Sequence, residues 1–120
     1  MKPRDMLKFG ILYLNDGIWN QQQLLSNDWV EKSSVPYLGN QSIEIPGEDS
    51  GKVGYGYSWW SKKLKTKDNE ITINWALGWG GQKIIVIPSL ETVIVFTGGR
   101  YNSGTDQFKI LEDFIIAEMK

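Results

Sequence analysis

The chain has 120 residues, of which 41% are hydrophobic and 22% charged, and its formal net charge is −1 at pH 7. This length suits one domain with one core, and the composition is typical of a soluble globular protein. A net charge this small provides no strong electrostatic attraction to nucleic acid or to an anionic membrane, so neither is expected as a partner. Histidine and cysteine are absent, which excludes disulfides, Ser-His and Cys-His nucleophilic pairs and the common zinc ligand sets. No metal or other cofactor is expected.

The sequence contains no segment typical of membrane insertion or export. No apolar run approaches the roughly 18 residues that a membrane-spanning helix needs. The polar residues 1–5 lead into a helix rather than into the apolar stretch of a signal peptide. The chain is therefore expected to stay where it is made, in a compartment that the sequence does not identify, although a longer parent could carry its own signal.

Two helices and a long loop are predicted in the first half. Pro3 and Asp5 suit a first helical turn, and apolar residues recur at helical spacing up to a stop signal at Gly17, which predicts a helix over about 3–15. Ser26 is a good N-cap for a short second helix that ends near Ser34. Residues 35–52 contain two prolines and three glycines, which predicts an irregular loop of a length often linked to function.

The second half has the pattern of strands. Tyr55, Tyr57 and Trp59 alternate with small residues, and a similar alternation runs over 71–77. The apolar runs 84–87 and 92–96 predict strands buried on both faces, joined as a hairpin by the turn at 88–91. The lysines between 62 and 67 are interpreted as a solvated strand end and loop.

A last helix is predicted after the loop at 98–104. Thr105 or Asp106 would cap it, and its apolar stripe would comprise Phe108, Leu111, Phe114, Ile115 and Ala117 or Met119. The predicted fold is α+β: one domain over 1–120, with an antiparallel sheet of three to four strands flanked by N-terminal and C-terminal helices.

Three stretches form an ordered set of motifs. They are residues 1–15 followed by Gly17, Trp19, Ser26 and Trp29; residues 55–60, which read Tyr-Gly-Tyr-Ser-Trp-Trp; and residues 78–82, which read Gly-Trp-Gly-Gly-Gln and precede the two apolar runs. This set resembles the C-terminal part of the family of class C serine β-lactamases, penicillin-binding proteins, DD-peptidases and esterases. The resemblance covers essentially the whole chain.

The resemblance implies a wall of an active-site cleft. In that family a serine followed three residues later by lysine is acylated, a Tyr-x-Asn tyrosine assists proton transfer, and a third motif, on a sheet strand, lines the other cleft wall. Here the third motif would be Gly78, Trp79, Gly80 and Gly81, with Gln82 following, in place of the usual Lys-Thr-Gly or His-x-Gly. Trp79 N–H would be an oxyanion donor, since an oxyanion needs preorganised backbone donors, and Gly78 to Gly80 would border the acyl group.

The chain departs from the family at the nucleophile. None of its nine serines is followed three residues later by lysine, so no catalytic residue is assigned here. Tyr13-Leu14-Asn15 matches Tyr-x-Asn literally, but it closes a capped helix and is interpreted as a decoy. We therefore expect a C-terminal segment, inactive alone, whose partner is the missing N-terminal half of the parent hydrolase. Exposed apolar surface and an unpaired sheet edge would favour self-association.

Other readings stay open at this point, including whether the chain is an enzyme at all. Six tryptophans would also suit a carbohydrate-binding module that exposes Trp59 or Trp60, whereas Trp75 is expected in the core. A non-catalytic scaffold domain is a third possibility. Arg100 and Tyr101 could reach a substrate carboxylate or form a solvated loop. A dyad of Ser61 with Lys62 or Lys63 is disfavoured, because sequence neighbours on a strand, such as Ser61 and Lys62, point to opposite faces.

Overall fold

A six-stranded antiparallel sheet organises the chain. The computed structural model describes residues 2–65, 69–99 and 106–118. The helices are α1 (Pro3–Leu14), α2 (Asn27–Ser34) and α3 (Gln107–Ile110), and α3 continues into a π-helical turn, Leu111–Ile115, and a 3₁₀ turn, Ile116–Glu118. The strands are β1 (Ile18–Trp19), β2 (Gln22–Gln23), β3 (Ile43–Glu44), β4 (Lys52–Tyr55), β5 (Trp60–Lys65), β6 (Glu70–Gly78), β7 (Gln82–Ile87) and β8 (Thr92–Phe96).

The sheet is a meander in which β3 to β8 lie in chain order, and β1 and β2 form a separate two-stranded ribbon. The α+β class and the antiparallel pairing are as predicted, but three to four strands was too few. The count was too low because the two-residue strand β3 carries no detectable period and because the first predicted strand is divided into β4 and β5. None of the helices in the described ranges has the length and hydropathy of a membrane span.

The aromatic alternation at residues 55–59 does not form one strand, which corrects the prediction. β4 ends at Tyr55, and Gly56 N–H donates to Trp59 O at 2.8 Å across a turn in which Ser58 has a φ of +67°. Small residues that alternate with aromatics suit such a turn as well as a strand. Gly56 is also held close to α2, because a Cβ there would lie 2.4 Å from Ser33 O.

One face of the sheet carries the main core. Ile73 and Trp75 of β6 and Ile85 of β7 are fully buried there against Phe108 and other residues of the last helix. The Trp75 and Phe108 rings meet edge to face, with centroids 4.9 Å apart. Trp75 is therefore a core residue, as predicted.

The predicted stripe of the last helix is confirmed in part. Phe108 and Leu111 are buried and Ile115 packs partly buried against the core, but Phe114 is 67% exposed, Ala117 is exposed, and Ile116 is buried instead. The π-helical turn explains this difference, because it holds more residues than an α-helical turn and shifts the apolar phase. Thr105 and Met119 lie outside the described residues.

The helix N-terminus is capped by the long loop rather than by its own flanking residue. Asp106 occupies the N-cap position but its side chain makes no cap hydrogen bond. Asp49 accepts from Phe108 N at 3.1 Å and from Lys109 N at 3.0 Å through its two carboxylate oxygens. A carboxylate at a helix N-terminus satisfies unpaired N–H groups and faces the positive end of the helix dipole. The loop predicted at 35–52 thus anchors the last helix.

The lysine cluster is only partly solvated. Lys63 and Lys65 are exposed as expected, and Lys67 lies outside the described residues. Lys62 is half-buried, donates to Ser50 O at 2.5 Å and places its Nζ 5.8 Å from the Phe108 ring centroid. Its apolar stem is partly buried while its ammonium group makes these polar contacts, as is common for amphipathic side chains.

The other face of the sheet is covered by α1, where Gly10 makes the closest approach. A Cβ at Gly10 would lie 2.3 Å from Val93 Cγ1 and 2.9 Å from Ile84 Cγ2. Only glycine lets the helix backbone rest directly on β7 and β8 at this point.

Gly10→Ala tests this contact. Alanine is the better helix former by about 1 kcal/mol, but overpacking costs about 1–3 kcal/mol, so we expect a net loss of unfolding free energy in urea titrations. Introduced beside Val93→Ala, which removes the nearest atom but leaves Ile84 Cγ2 in place, the same change should cost less. A stabilised Gly10→Ala single variant would contradict the packing argument.

Candidate functional site

The predicted cleft-wall residues form a hairpin turn at one end of the sheet. Gly78 ends β6 and pairs with Gln82 at the start of β7. Trp79, Gly80 and Gly81 lie between them, and Gly81 N–H donates to Gly78 O at 3.3 Å. The motif was expected on a strand, and the structure corrects this by placing its central residues in the turn.

The glycines of the turn are required by its backbone. Gly80 and Gly81 have φ angles of +92° and +99°, a region that residues with a Cβ rarely adopt. Gly98, beyond the end of β8, packs on the same turn, since a Cβ there would lie 2.7 Å from Gly80 O. Gln82 Nε2 donates to Gly98 O and ties the two segments together.

Trp79 projects from this turn with 76% of its surface exposed. The turn therefore places a large apolar ring at the end of the sheet, where it could contact the apolar part of a ligand.

A buried polar network supports the turn from behind. Lys83 is fully buried, and its Nζ lies 2.5 Å from Glu48 Oε1 of the long loop. Lys83 also donates to Gln107 Oε1 of the last helix. The amide nitrogen of Gln107 in turn donates to Gly81 O at 2.7 Å. The network thus connects the long loop and the last helix to the turn itself.

This network was not predicted from the sequence. A lysine near the start of a predicted strand is normally expected to be exposed to solvent, because lysine is almost never fully buried unless it is paired. Its partners, Glu48 and Gln107, lie in a loop and a helix far from it in the chain. The only available signal was that the long loop would be functional.

Two further candidates from the sequence, Tyr13 and Ser61, make contacts within the fold. Tyr13 hydroxyl is 2.8 Å from Ser33 Oγ, and its ring centroid is 4.2 Å from that of Trp59. These contacts agree with the interpretation of Tyr13-Leu14-Asn15 as a helix end. Ser61 is 8% exposed and pairs with Asn74, whereas Lys62 pairs with Ile73 and so points to the opposite face.

The carbohydrate-platform reading finds little support at the residues it named. Trp59 is only 8% exposed, and Trp60 is half-buried with its ring centroid 4.3 Å from that of Tyr55. A more exposed aromatic group lies elsewhere, where Trp29 stacks on Tyr57 at 5.3 Å. Arg100 and Tyr101 lie outside the described residues.

The described residues offer no cluster of three or more acidic side chains that could hold a metal ion. Across the whole sequence there is also no histidine and no Ser-x-x-Lys. The turn supplies backbone groups and an aromatic ring, while the charged residues behind it are engaged with one another.

Comparison with known proteins supports the resemblance at the level of the superfamily. The putative 6-aminohexanoate-dimer hydrolase from Bacillus anthracis, which has a β-lactamase and penicillin-binding-protein-like fold, superposes with a TM-score of 0.67 at 25% sequence identity. The match covers 95% of this chain and 27% of that chain. The chain is therefore related in fold to one part of a β-lactamase-like hydrolase.

Sequence comparison finds a different match. The LPS-assembly proteins LptD of Vibrio vulnificus strains YJ016 and CMCP6 are each 30% identical in an alignment of 78 residues that covers 60% of this chain and 10% of each relative. The chain thus spans a tenth of these curated relatives and about a quarter of the solved hydrolase. No family model matches the chain.

The Lys83–Glu48 pair can be tested by a double-mutant cycle. Lys83→Met leaves a carboxylate whose side chain is 7% exposed without its cation, and removing one partner of a buried pair costs about 3 kcal/mol or more. Adding Glu48→Gln should recover much of this loss in urea unfolding.

The exposed pair Lys109–Asp113, with a separation of 3.4 Å, is the matched control. Lys109→Met should cost less than about 1 kcal/mol, because solvated pairs contribute little. Equal costs for Lys83→Met and Lys109→Met would show that breaking the buried pair is no more costly than breaking a solvated one, which would contradict this prediction.

Proposed function

We propose that this chain is the C-terminal, cleft-wall segment of a serine hydrolase that cleaves amide or ester bonds through an acyl-serine, in the manner of β-lactamases and penicillin-binding proteins. The carrying observation is the superposition of 95% of the chain on a β-lactamase-like hydrolase, with the glycine turn in the order that the motifs predict. The name of that neighbour specifies a 6-aminohexanoate dimer, a linear amide, which fits the proposed bond class.

In this proposal the turn from Gly78 to Gln82 borders the acyl group. Attack on a carbonyl places negative charge on its oxygen, and preorganised backbone N–H groups stabilise that charge without reorganising during the reaction. Trp79 N–H would be one such donor, and the exposed Trp79 ring would contact the adjoining part of the substrate. The network through Gln107 and Gly81 O would keep the donor in place.

The nucleophile and the proton carriers would come from an N-terminal partner segment. No serine here has a lysine three residues on, and Lys83 is fully buried beside Glu48, so it does not offer its amine to a substrate. The chain alone should therefore be inactive, and a substrate would bind at the junction of the two segments. The match to the LPS-assembly proteins covers a tenth of their length and does not enter this proposal.

Intact-mass analysis after incubation with a fluorophosphonate or a penicillin tests the first half of the proposal. We expect no adduct on the 120-residue chain, because no activated serine is available. A stoichiometric adduct would place a nucleophile within these residues, and Ser61→Ala would then be the first variant to examine.

A chimera tests the second half. Replacing the matching segment of the Bacillus anthracis hydrolase with this chain should preserve acylation by the fluorophosphonate. Gly80→Ala in the chimera should slow it by about 100-fold, because a Cβ at a φ of +92° distorts the turn and displaces the neighbouring Trp79 N–H, with an effect like that of losing an oxyanion donor. Gly39→Ala is the matched control, because Gly39 also has a positive φ, +91°, but nothing lies within 4 Å of a Cβ there. A chimera that unfolds cooperatively yet is never acylated, or equal effects of the two substitutions, would contradict the proposal.

A further inference from the structure

The aromatic ring at the glycine turn is more exposed than the other aromatic rings of the chain. Trp79 exposes 76% of its surface, which is more than any other aromatic residue in the described ranges. Trp75 is fully buried, Trp59 is 8% exposed and Trp29 is 42% exposed. An indole ring left in water forgoes the favourable free energy of burying its apolar surface. A ligand that covers this ring would recover part of that free energy.

The turn that carries Trp79 has no charged side chain. Residues 78–82 are glycines, one tryptophan and one glutamine. The adjacent lysine, Lys83, is fully buried, and its Nζ lies 2.5 Å from Glu48 Oε1. The charge of Lys83 is therefore balanced inside the fold and is not presented to a ligand at the turn.

The side-chain amides around the turn are tied to backbone carbonyls. Gln82 Nε2 donates to Gly98 O, and Gln107 Nε2 donates to Gly81 O at 2.7 Å. A ligand carboxylate beside Trp79 would thus lose its hydration without gaining a cation from these residues. Burying a charge without a partner is costly, whereas an apolar group has no such cost. The chemistry of the turn therefore favours an apolar group over an anionic one.

We propose that Trp79 determines specificity, by selecting substrates whose group beside the cleft wall is uncharged and apolar, such as an alkyl or aryl chain, over substrates that carry a carboxylate there. The assignment rests on the proposed hydrolase function and adds the substrate class to it. When an apolar chain covers the Trp79 ring, both surfaces leave the water. Apolar contacts that differ by one small group change kcat/KM by about 10-fold or more.

Two matched esters test the proposal in the chimera with the Bacillus anthracis hydrolase. p-Nitrophenyl hexanoate and mono-p-nitrophenyl adipate share a leaving group and have acyl chains of equal length, but only the adipate chain ends in a carboxylate. We expect kcat/KM to be about 10-fold higher for the hexanoate. Trp79→Ala should remove most of this preference, and Trp79→Phe should retain it. Trp79→Arg should reverse the preference, because a guanidinium group pairs with a carboxylate.

Phe114→Ala is the matched control, because Phe114 is also an exposed aromatic residue, at 67%, but lies in the last helix rather than in the turn. It should leave the ratio of the two kcat/KM values unchanged. Labelling by the fluorophosphonate is measured in the same variants, since it reports the nucleophilic serine without either ester chain.

The outcomes separate the two levels of the proposal. A folded chimera that the fluorophosphonate never labels overturns the proposed hydrolase function and the role of Trp79 with it. A labelled chimera whose ratio is unchanged by Trp79→Ala, or is changed equally by Phe114→Ala, overturns the role of Trp79 alone. A labelled chimera that prefers the adipate also overturns it, and would favour the alternative in which Arg100 receives a substrate carboxylate.

Discussion

The buried contact between Glu48 and Lys83 is the interaction on which the candidate site depends. Taking both charges out of water is costly, and the attraction between them often does no more than offset that cost. We therefore interpret the pair as a source of geometric definition rather than of net stability. Lys83 meets Glu48 on one side and Gln107 on the other, and Gln107 continues to the carbonyl of Gly81. The position of the turn is thus tied to both the long loop and the last helix.

Two adjacent carboxylates of the long loop make separate contacts with the rest of the fold. Glu48 neutralises a buried lysine, while Asp49 caps the N-terminus of the last helix. The helix in turn delivers Phe108 onto Trp75 in the core and Gln107 onto the turn. Core packing and site geometry therefore depend on the same helix. The irregular loop acts on the turn through side chains, from Glu48 to Lys83 and from there to Gln107.

The predictions from sequence are correct for those elements whose local sequence signals match the surrounding structure. Ser26 was identified as an N-cap and its Oγ accepts from Trp29 N at 3.0 Å, and α1 ends one residue before its predicted bound. The glycine motif was located by its residue order, although its turn geometry was not. Prediction failed where tertiary contacts override local pattern, as at Lys83, whose burial is intelligible only once Glu48 and Gln107 are adjacent.

Two further errors have distinct physical causes. The run around Tyr57 has strand-like alternation, but the positive φ of Ser58 and the contact of Gly56 with α2 make it a turn. Phe114 has the correct helical spacing for burial, but the π-helical turn rotates it toward solvent. In both cases the prediction assumed a single regular backbone conformation over the whole segment, but the conformation changes within it.

The end of β8 and the glycine turn are connected through Gly98. β8 ends at Phe96, and two residues later Gly98 packs on Gly80 and accepts from the side chain of Gln82. The turn is therefore held from two directions, from behind by Gln107 of the buried network and from the side by the segment that follows β8. A change in either contact would act on the geometry of the turn, because the backbone of the turn touches both.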